Sequence, residues 1–294
     1  MIFRTYADAA ADVREWSRHL PEVAAVCGLP RSGTIIATML AEFRHIHLVE
    51  WEELCQSREP WTKPHRRNIP AREGKILVVD DTCWTGRTIT QSKQFLNHVR
   101  GCSDVLWGAL YYGDKGRGHV DYAGRHLPTF CHTFEWNMLR DCLVKRYMID
   151  LDGVLCEDWG KPDIGDHLPG YLNHLENARP LYKPCYRVGA IVTARLEKYR
   201  PQTEAWLKSH GIEYARLEMF PGNSERDRER YGHARYKAEV YRENAEFRGF
   251  VESSFKQSQE IARLTSRPVL SIEGLRIFNG TEPGDFAAPS QNAA

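Results

Sequence analysis

The chain has 294 residues, room for two domains at about 150 residues each, and its 40 Lys and Arg against 39 Asp and Glu leave a net charge of +1. That balance excludes a nucleic-acid binder working by bulk charge, which needs a basic excess to displace counterions. A hydrophobic content of 42% with 11% aromatics excludes a disordered chain, and no apolar run approaches the ~20 residues that span a bilayer. The opening MIFRTYADAAADVREW carries acids and polar residues where a signal peptide needs an apolar block, so a soluble, cytoplasmic protein with no membrane partner is expected.

Short apolar runs alternate with amphipathic stretches along the chain, the pattern of an α/β protein. A first series of strands is predicted at 23–29, 46–49, 76–80, 105–112 and 129–135, and a second at 147–151, 188–193, 214–219, 249–252 and 269–272. Leu196, Tyr199, Trp206 and Leu207 share one face of a predicted helix over 195–210, which Gly211 stops. Two doubly wound domains follow, residues 1–143 and 144–278, with the join in the charged stretch 140–145. Residues 279–294, small, polar and Pro/Gly-bearing, form a flexible tail. The eight cysteines make no CxxC and no zinc-finger spacing, so buried reduced thiols are expected.

Residues 76–79 (ILVV) form a continuous apolar run, as in a central parallel strand buried on both faces. The run ends in Asp80-Asp81, and Thr82-Cys83-Trp84-Thr85-Gly86-Arg87-Thr88 follows before a helix near Ile89. Ligands of open α/β sheets bind at the carboxyl ends of strands. Two carboxylates there can accept hydrogen bonds from the 2′ and 3′ hydroxyls of a ribose. Thr82, Thr85 and Thr88 offer hydroxyls, Gly86 allows close backbone approach, and a helix N-terminus offers N–H groups to a phosphate. Upstream, the strand at 23–29 runs into Pro30-Arg31-Ser32-Gly33-Thr34 and a helix, a second anion cradle with Arg31 as the charged donor. A ribose 5-phosphate on one loop and a further phosphate group on the other describe phosphoribosyl pyrophosphate (PRPP). A nucleotide-triphosphatase stays open as the rival. An apolar strand ending in two Asp also describes a Walker B element, although Thr34-Ile35 stands where a P-loop needs Lys-Ser/Thr.

ILVVDDTCWTGRT (76–88) and GLPRSGT (28–34) resemble the PRPP motif and pyrophosphate loop of type I phosphoribosyltransferases, in the manner of an orotate phosphoribosyltransferase, over roughly residues 10–143. The resemblance implies that Asp80 and Asp81 bind the ribose hydroxyls, that Thr82, Thr85, Gly86 and Thr88 hold the 5-phosphate, and that Arg31, Ser32 and Gly33 hold the pyrophosphate that leaves. It implies Mg²⁺ bridging pyrophosphate and ribose oxygens, a nucleobase or nucleotide as the other small-molecule partner, and a homodimer. It also implies a hood over 51–75, where Lys63, His65, Arg66 and Arg67 cover the pyrophosphate. Trp84 and Arg87 are bulkier than that loop usually carries. The segment 134–137 (FEWN) follows a strand end, where it either stacks on a base or closes an aromatic core.

The second series opens with an apolar strand ending in Asp150-Leu151-Asp152-Gly153. One strand-end carboxylate can attack phosphorus, and a second just beyond can protonate the leaving oxygen and then activate water. Attack on a dianion needs positive charge nearby, so Mg²⁺ and a lysine are expected. Thr193 ends a later strand, Lys237 lies in a helix pattern, and Glu252 ends a further strand. This series resembles the haloacid-dehalogenase (HAD) superfamily of phosphatases, over about 145–275. The resemblance implies Asp150 as nucleophile, Asp152 as general acid/base, Thr193 and Lys237 as phosphoryl-binding groups, and Mg²⁺ on Asp150, Glu252 and the Asp152 carbonyl. Ser253-Ser254 stands where the fourth motif of that superfamily commonly has a second acid. A calcium-type acid loop is the other reading of Asp150 and Asp152, but it lacks the further alternating ligands. About 40 residues separate Asp152 from Thr193, too few for a large cap domain. His45 and His47 complete no metal site, and the mixed-charge run 226–230 reads as a solvated face.

The two resemblances together imply two Rossmann-like domains and a bifunctional enzyme. One half joins a base to PRPP, and the other removes the 5′-phosphate of the nucleotide formed. The alternative is a phosphatase regulated by a transferase-like domain that senses PRPP or a nucleotide.

Overall fold

A computed structural model of the chain describes residues 1–56, 73–99, 101, 103–128, 132–160, 169–222 and 224–279. The protein is α/β, with mostly parallel sheets flanked by helices. It divides into two compact units, Arg4–Trp136 and Asn137–Ala294, and residues Met1–Phe3 belong with the second.

After a short strand β1 (Ile2–Arg4), helix α1 (Tyr6–Ser17) starts at a reciprocal cap. The Thr5 hydroxyl accepts the Asp8 N–H at 3.0 Å, and the Asp8 carboxylate accepts the Thr5 N–H at 2.9 Å. There follow β2 (Ala25–Gly28), α2 (Gly33–Arg44), β3 (His47–Val49), α3 (Trp51–Gln56), β4 (Ile76–Cys83), α4 (Arg87–Val99), β5 (Val105–Tyr112), β6 (Tyr122–His126) and β7 (His132–Phe134). Five of these strands form a sheet in the order β3-β2-β4-β5-β6, parallel throughout. β2 and the first four residues of β4 are buried on both faces, as their unbroken apolar runs predict. The chain leaves β2 toward β3 on one side and returns to β4 on the other. The carboxyl ends of β2 and β4 therefore flank a topological switch point.

The second unit contains β8 (Tyr147–Ile149), α5 (Pro169–Asn177), β9 (Val188–Leu196), α6 (Arg200–Ser209), β10 (Tyr214–Phe220), α7 (Glu225–Tyr231), α8 (His233–Glu243), β11 (Gly249–Glu252), α9 (Phe255–Thr265), β12 (Val269–Ser271) and β13 (Arg276–Phe278). Its sheet has the order β10-β9-β8-β11-β12-β13, parallel except for the final antiparallel pair. Here the switch point lies between β8 and β11. Met148, Ala190, Val192, Tyr241, Phe250 and Ile261 are among the buried side chains that join sheet to helices. Each full burial of a large apolar side chain stabilises by about 1.5–3 kcal/mol.

Several elements differ from expectation. β4 runs to Cys83 rather than Asp80, because Thr82 and Cys83 stay paired to Tyr111 and Tyr112 of β5. The predicted helix 195–210 begins only at Arg200. β9 continues to Leu196, and the short 3₁₀ turn Glu197–Tyr199 leads to a helix start with Pro201 in its first turn. Gly211, at φ +63°, follows the end of α6. The edge strands β6 and β13 were not predicted, being short and half-exposed. Among the described cysteines, Cys27, Cys83 and Cys156 are buried and free, whereas Cys142 and Cys185 are exposed.

Candidate active sites

At the first switch point, the loop after β2 lies directly on the end of β4. The Leu29 N–H donates to the Val79 carbonyl at 2.8 Å. A Cβ on Gly33 would fall 2.5 Å from that carbonyl and 3.3 Å from Asp80 Oδ1, so only glycine permits this approach. α2 starts at Gly33, and Ser32 before it makes no side-chain cap, leaving its hydroxyl uncommitted to the helix end. Arg31, joined to Pro30 by a cis peptide bond, is exposed.

Asp80 and Asp81 are successive residues of β4, and their carboxyls lie within hydrogen-bond reach of each other. Asp80 meets the Gly33 loop, and its Oδ1 accepts the Asp81 N–H at 2.9 Å. Burial and then the charge of Asp81 raise the Asp80 carboxyl well above its ordinary range. Asp81, 6% exposed, accepts the Trp136 indole N–H on Oδ2 at 2.8 Å and the Thr82 hydroxyl on Oδ1 at 3.3 Å.

Beyond Cys83 the chain turns through Trp84, Thr85 and Gly86 into α4, whose first turn carries Thr88. Thr82, Thr85, Gly86 and Thr88 line one cavity of about 130 Å³ at that helix start. Gly86 has φ +76°, and a Cβ there would sit 2.1 Å from the His119 ring. His119 is held by Thr90 Oγ1 at 3.1 Å from its Nδ1 and by Lys93 Nζ at 2.8 Å from its carbonyl. A cavity at a helix start, where the first backbone N–H groups have no helical partner, is suited to an anion. Lys63, His65, Arg66 and Arg67 lie outside the described residues.

The segment 134–137 is part of an aromatic ladder. The Phe134 ring stacks on Tyr111 at 5.3 Å and on Trp136 at 4.9 Å, and Trp136 is half-buried at the outer rung. The Tyr111 hydroxyl donates to Asp12 at 2.8 Å, and Arg125 Nε donates to the same carboxylate at 2.7 Å.

In the second unit, Asp150 follows β8 and Glu252 ends β11, each almost fully buried. Lys237 of α8 puts its Nζ 2.8 Å from Asp150 Oδ2 and 2.8 Å from Glu252 Oε2. The Ser253 hydroxyl donates to Asp150 at 3.3 Å and to Glu252 at 3.1 Å. Two buried carboxylates thus share one ammonium. Burial, then the Glu252 charge, raises the Asp150 carboxyl well above its usual range, with Lys237 opposing. Burial works against charge on Lys237, but the two carboxylates outweigh it and raise its pKa.

Asp152 takes a different partner. Arg195 Nη2 lies 2.6 Å from its Oδ1 and Arg195 Nε 3.0 Å from its Oδ2, a bidentate pair, and the Thr193 hydroxyl donates to Oδ2 at 3.3 Å. His174 Nε2 stands 3.8 Å from Oδ1. Burial alone would raise Asp152, but the Arg195 guanidinium overcomes it and, with His174, holds the carboxyl well below its usual range. His233, near the start of α8, is lowered to about 4 by burial and by Arg228 and Lys237.

Asp150, Asp152, Thr193, Lys237 and Glu252 therefore gather at the carboxyl ends of one sheet, and Arg195 joins them. Placing Arg195 in a helix hid it. A readable signal existed, because Thr193 and Arg195 alternate onto one face of an extended strand. Among the described residues, no three His, Cys, Asp or Glu side chains are grouped as a metal cluster. Asp150 and Glu252 offer hard carboxylate oxygens, the donor type that suits Mg²⁺, with the Lys237 ammonium against one oxygen of each. No helix among the described residues is long and apolar enough to cross a membrane.

Comparison with protein-family models and with curated proteins gives no match. Among solved structures, purine phosphoribosyltransferase from Pyrococcus horikoshii Ot3 is 19% identical over 46% of this chain and 92% of that one, with a TM-score of 0.34. The Helicobacter pylori xanthine-guanine-hypoxanthine phosphoribosyltransferase is 14% identical over 47% and 92%, also at 0.34. Adenine phosphoribosyltransferase from Trypanosoma brucei, in complex with AMP, pyrophosphate and ribose 5-phosphate, is 14% identical over 41% and 63%, at 0.28. The solved structures similar to this chain thus include phosphoribosyltransferases matching a little under half of it.

Proposed function

We propose that the protein is a bifunctional enzyme: the unit Arg4–Trp136 transfers phosphoribose from PRPP to a nucleobase-like acceptor, and the second unit dephosphorylates the nucleotide to a nucleoside. The observation that carries the first half is the convergence of the Gly33 loop, Asp80, Asp81 and the 82–88 cavity at one switch point. The C1′–pyrophosphate bond breaks as an acceptor nitrogen attacks C1′, through an oxocarbenium-like state. Asp80 and Asp81 accept hydrogen bonds from the ribose hydroxyls. Thr82, Thr85, Gly86 and Thr88 hold the 5-phosphate, and Arg31, Ser32 and Gly33 hold the departing pyrophosphate.

In the second half, Asp150 attacks phosphorus while Lys237 and Thr193 hold the phosphoryl oxygens. Asp150, Glu252 and the Asp152 carbonyl would hold Mg²⁺, which supplies charge against the phosphoryl dianion. Asp152 is the carboxylate that takes a proton from the water that cleaves the aspartyl-phosphate, once the pairing with Arg195 that weakens it as a base loosens. Protonating the leaving oxygen requires that pairing to loosen so that Asp152 can carry a proton. Hydrolysis of the nucleotide would draw the reversible transfer forward.

The test is to incubate wild type and Asp150→Asn with Mg²⁺, PRPP and a mixed set of bases, and to follow all products by mass spectrometry. Nucleoside from wild type and nucleotide from the variant are expected. Neither product with any base would end this reading, and PRPP-dependent phosphatase activity without pyrophosphate release would make the first unit a sensor.

A further inference from the structure

Trp136 and Asp81 lie 55 residues apart in sequence, and the indole N–H donates to Asp81 Oδ2 at 2.8 Å. The ring is fixed from several sides. Phe134 stacks on it at 4.9 Å, and Tyr6 packs against it at 5.6 Å. Glu135, next to it, accepts the Tyr6 N–H at 2.8 Å and holds the turn. Tyr111, next in the ladder, is anchored through its hydroxyl on Asp12. A ring held this way gives its N–H one direction. On its other oxygen Asp81 accepts the Thr82 hydroxyl at the longer distance of 3.3 Å, and the Asp80 carboxyl lies beside it. The orientation of a nearly buried carboxylate is then set by its strongest donor, and that donor is the indole.

Resting on the PRPP reading of this site, we propose that Trp136 is a positioning residue for the donor substrate: its N–H sets the Asp81 carboxylate in the orientation that receives a ribose hydroxyl, so the ring governs PRPP affinity without touching PRPP. A ring that only satisfied a buried acid would affect stability when altered and leave PRPP affinity alone. The sugar class follows from that reading. Ligands relying on the oriented carboxylate are those with a free vicinal diol, and ligands held by the phosphate loop alone do not depend on Trp136.

The test uses the full chain with Mg²⁺ and titrates PRPP and inorganic pyrophosphate by calorimetry into wild type, Trp136→Phe and Trp136→His. Loss of one hydrogen bond to a charged group predicts PRPP binding weakened about tenfold in Trp136→Phe, with pyrophosphate binding unchanged. Trp136→His, which restores a ring N–H, is expected to recover part of the loss. Should Trp136→Phe fail to fold, replacing Trp136 by benzothienylalanine, which exchanges only the N–H for sulfur, decides the matter by the same titration. PRPP affinity equal to wild type in a folded variant lacking the N–H overturns the positioning role alone. A wild type that binds no PRPP overturns the transferase reading and this inference with it.

Discussion

Arg195 closes on Asp152 through Nη2 at 2.6 Å and Nε at 3.0 Å, and its own side chain is only 2% exposed. Removing Arg195 leaves Asp152, whose side chain is 23% exposed, without its ion partner, which costs up to about 3 kcal/mol. Arg195→Met is expected to destabilise the protein by that amount in urea unfolding, and Asp152→Asn in the same chain to recover much of the loss. Additive effects of the two changes would deny the pairing.

His233 makes the stability of its unit pH-dependent. Its folded pKa of about 4 lies below the ordinary 6.5, so between those values the unfolded chain binds more protons than the folded one. Stability from this group is fully present above pH 6.5 and is lost as the pH falls toward 4. After allowance for partial exposure, the loss amounts to about 2 kcal/mol. His233→Gln should flatten the denaturation midpoint over that range, measured against wild type in parallel.

Asp80 invites the opposite result. Burial penalises its charge, so Asp80→Asn should leave the melting temperature unchanged or slightly raised. On the proposed transferase reading, the same change removes one acceptor for the ribose diol. Formation of nucleotide from PRPP is expected to fall at least about tenfold while phosphatase activity on added nucleotide persists. A parallel fall in both activities would speak against separate sites.

Gly86 is constrained twice, by its positive φ and by the His119 ring over its Cα. Gly86→Ala should cost about 1 kcal/mol from the backbone alone, plus displacement of His119. Adding His119→Ala should remove the steric part and leave the backbone part. Thermal melts of the single and double variants separate the two, and ribose 5-phosphate titrations report whether the 82–88 loop still holds its shape.

The amino-acid sequence by itself determined the α/β class and the two strand series. Apolar runs such as Ile76–Val79 bury on both faces whatever lies beside them, and a carboxylate at the end of such a run must lie at the sheet's edge. For the same reason Asp150 and Glu252 were readable as strand-end acids, whereas Asp80, read as one, lies inside β4, and the loop read from Thr82 begins only after Cys83. Partners set by distant pairing could not be read. β4 reaches Cys83 only because β5 continues beside it. The edge strand β6 is stabilised by contacts that include Arg125 on Asp12, 113 residues away. Arg195 reads locally as the first residue of a helix, and it is Asp152, 43 residues earlier, that offsets the charge it buries in β9. The split of Asp80 toward Gly33 and Asp81 toward Trp136 was likewise decided by tertiary structure. The partners that meet these two neighbouring carboxyls are assembled from segments far apart in the chain, Gly33 on one side and Trp136 on the other.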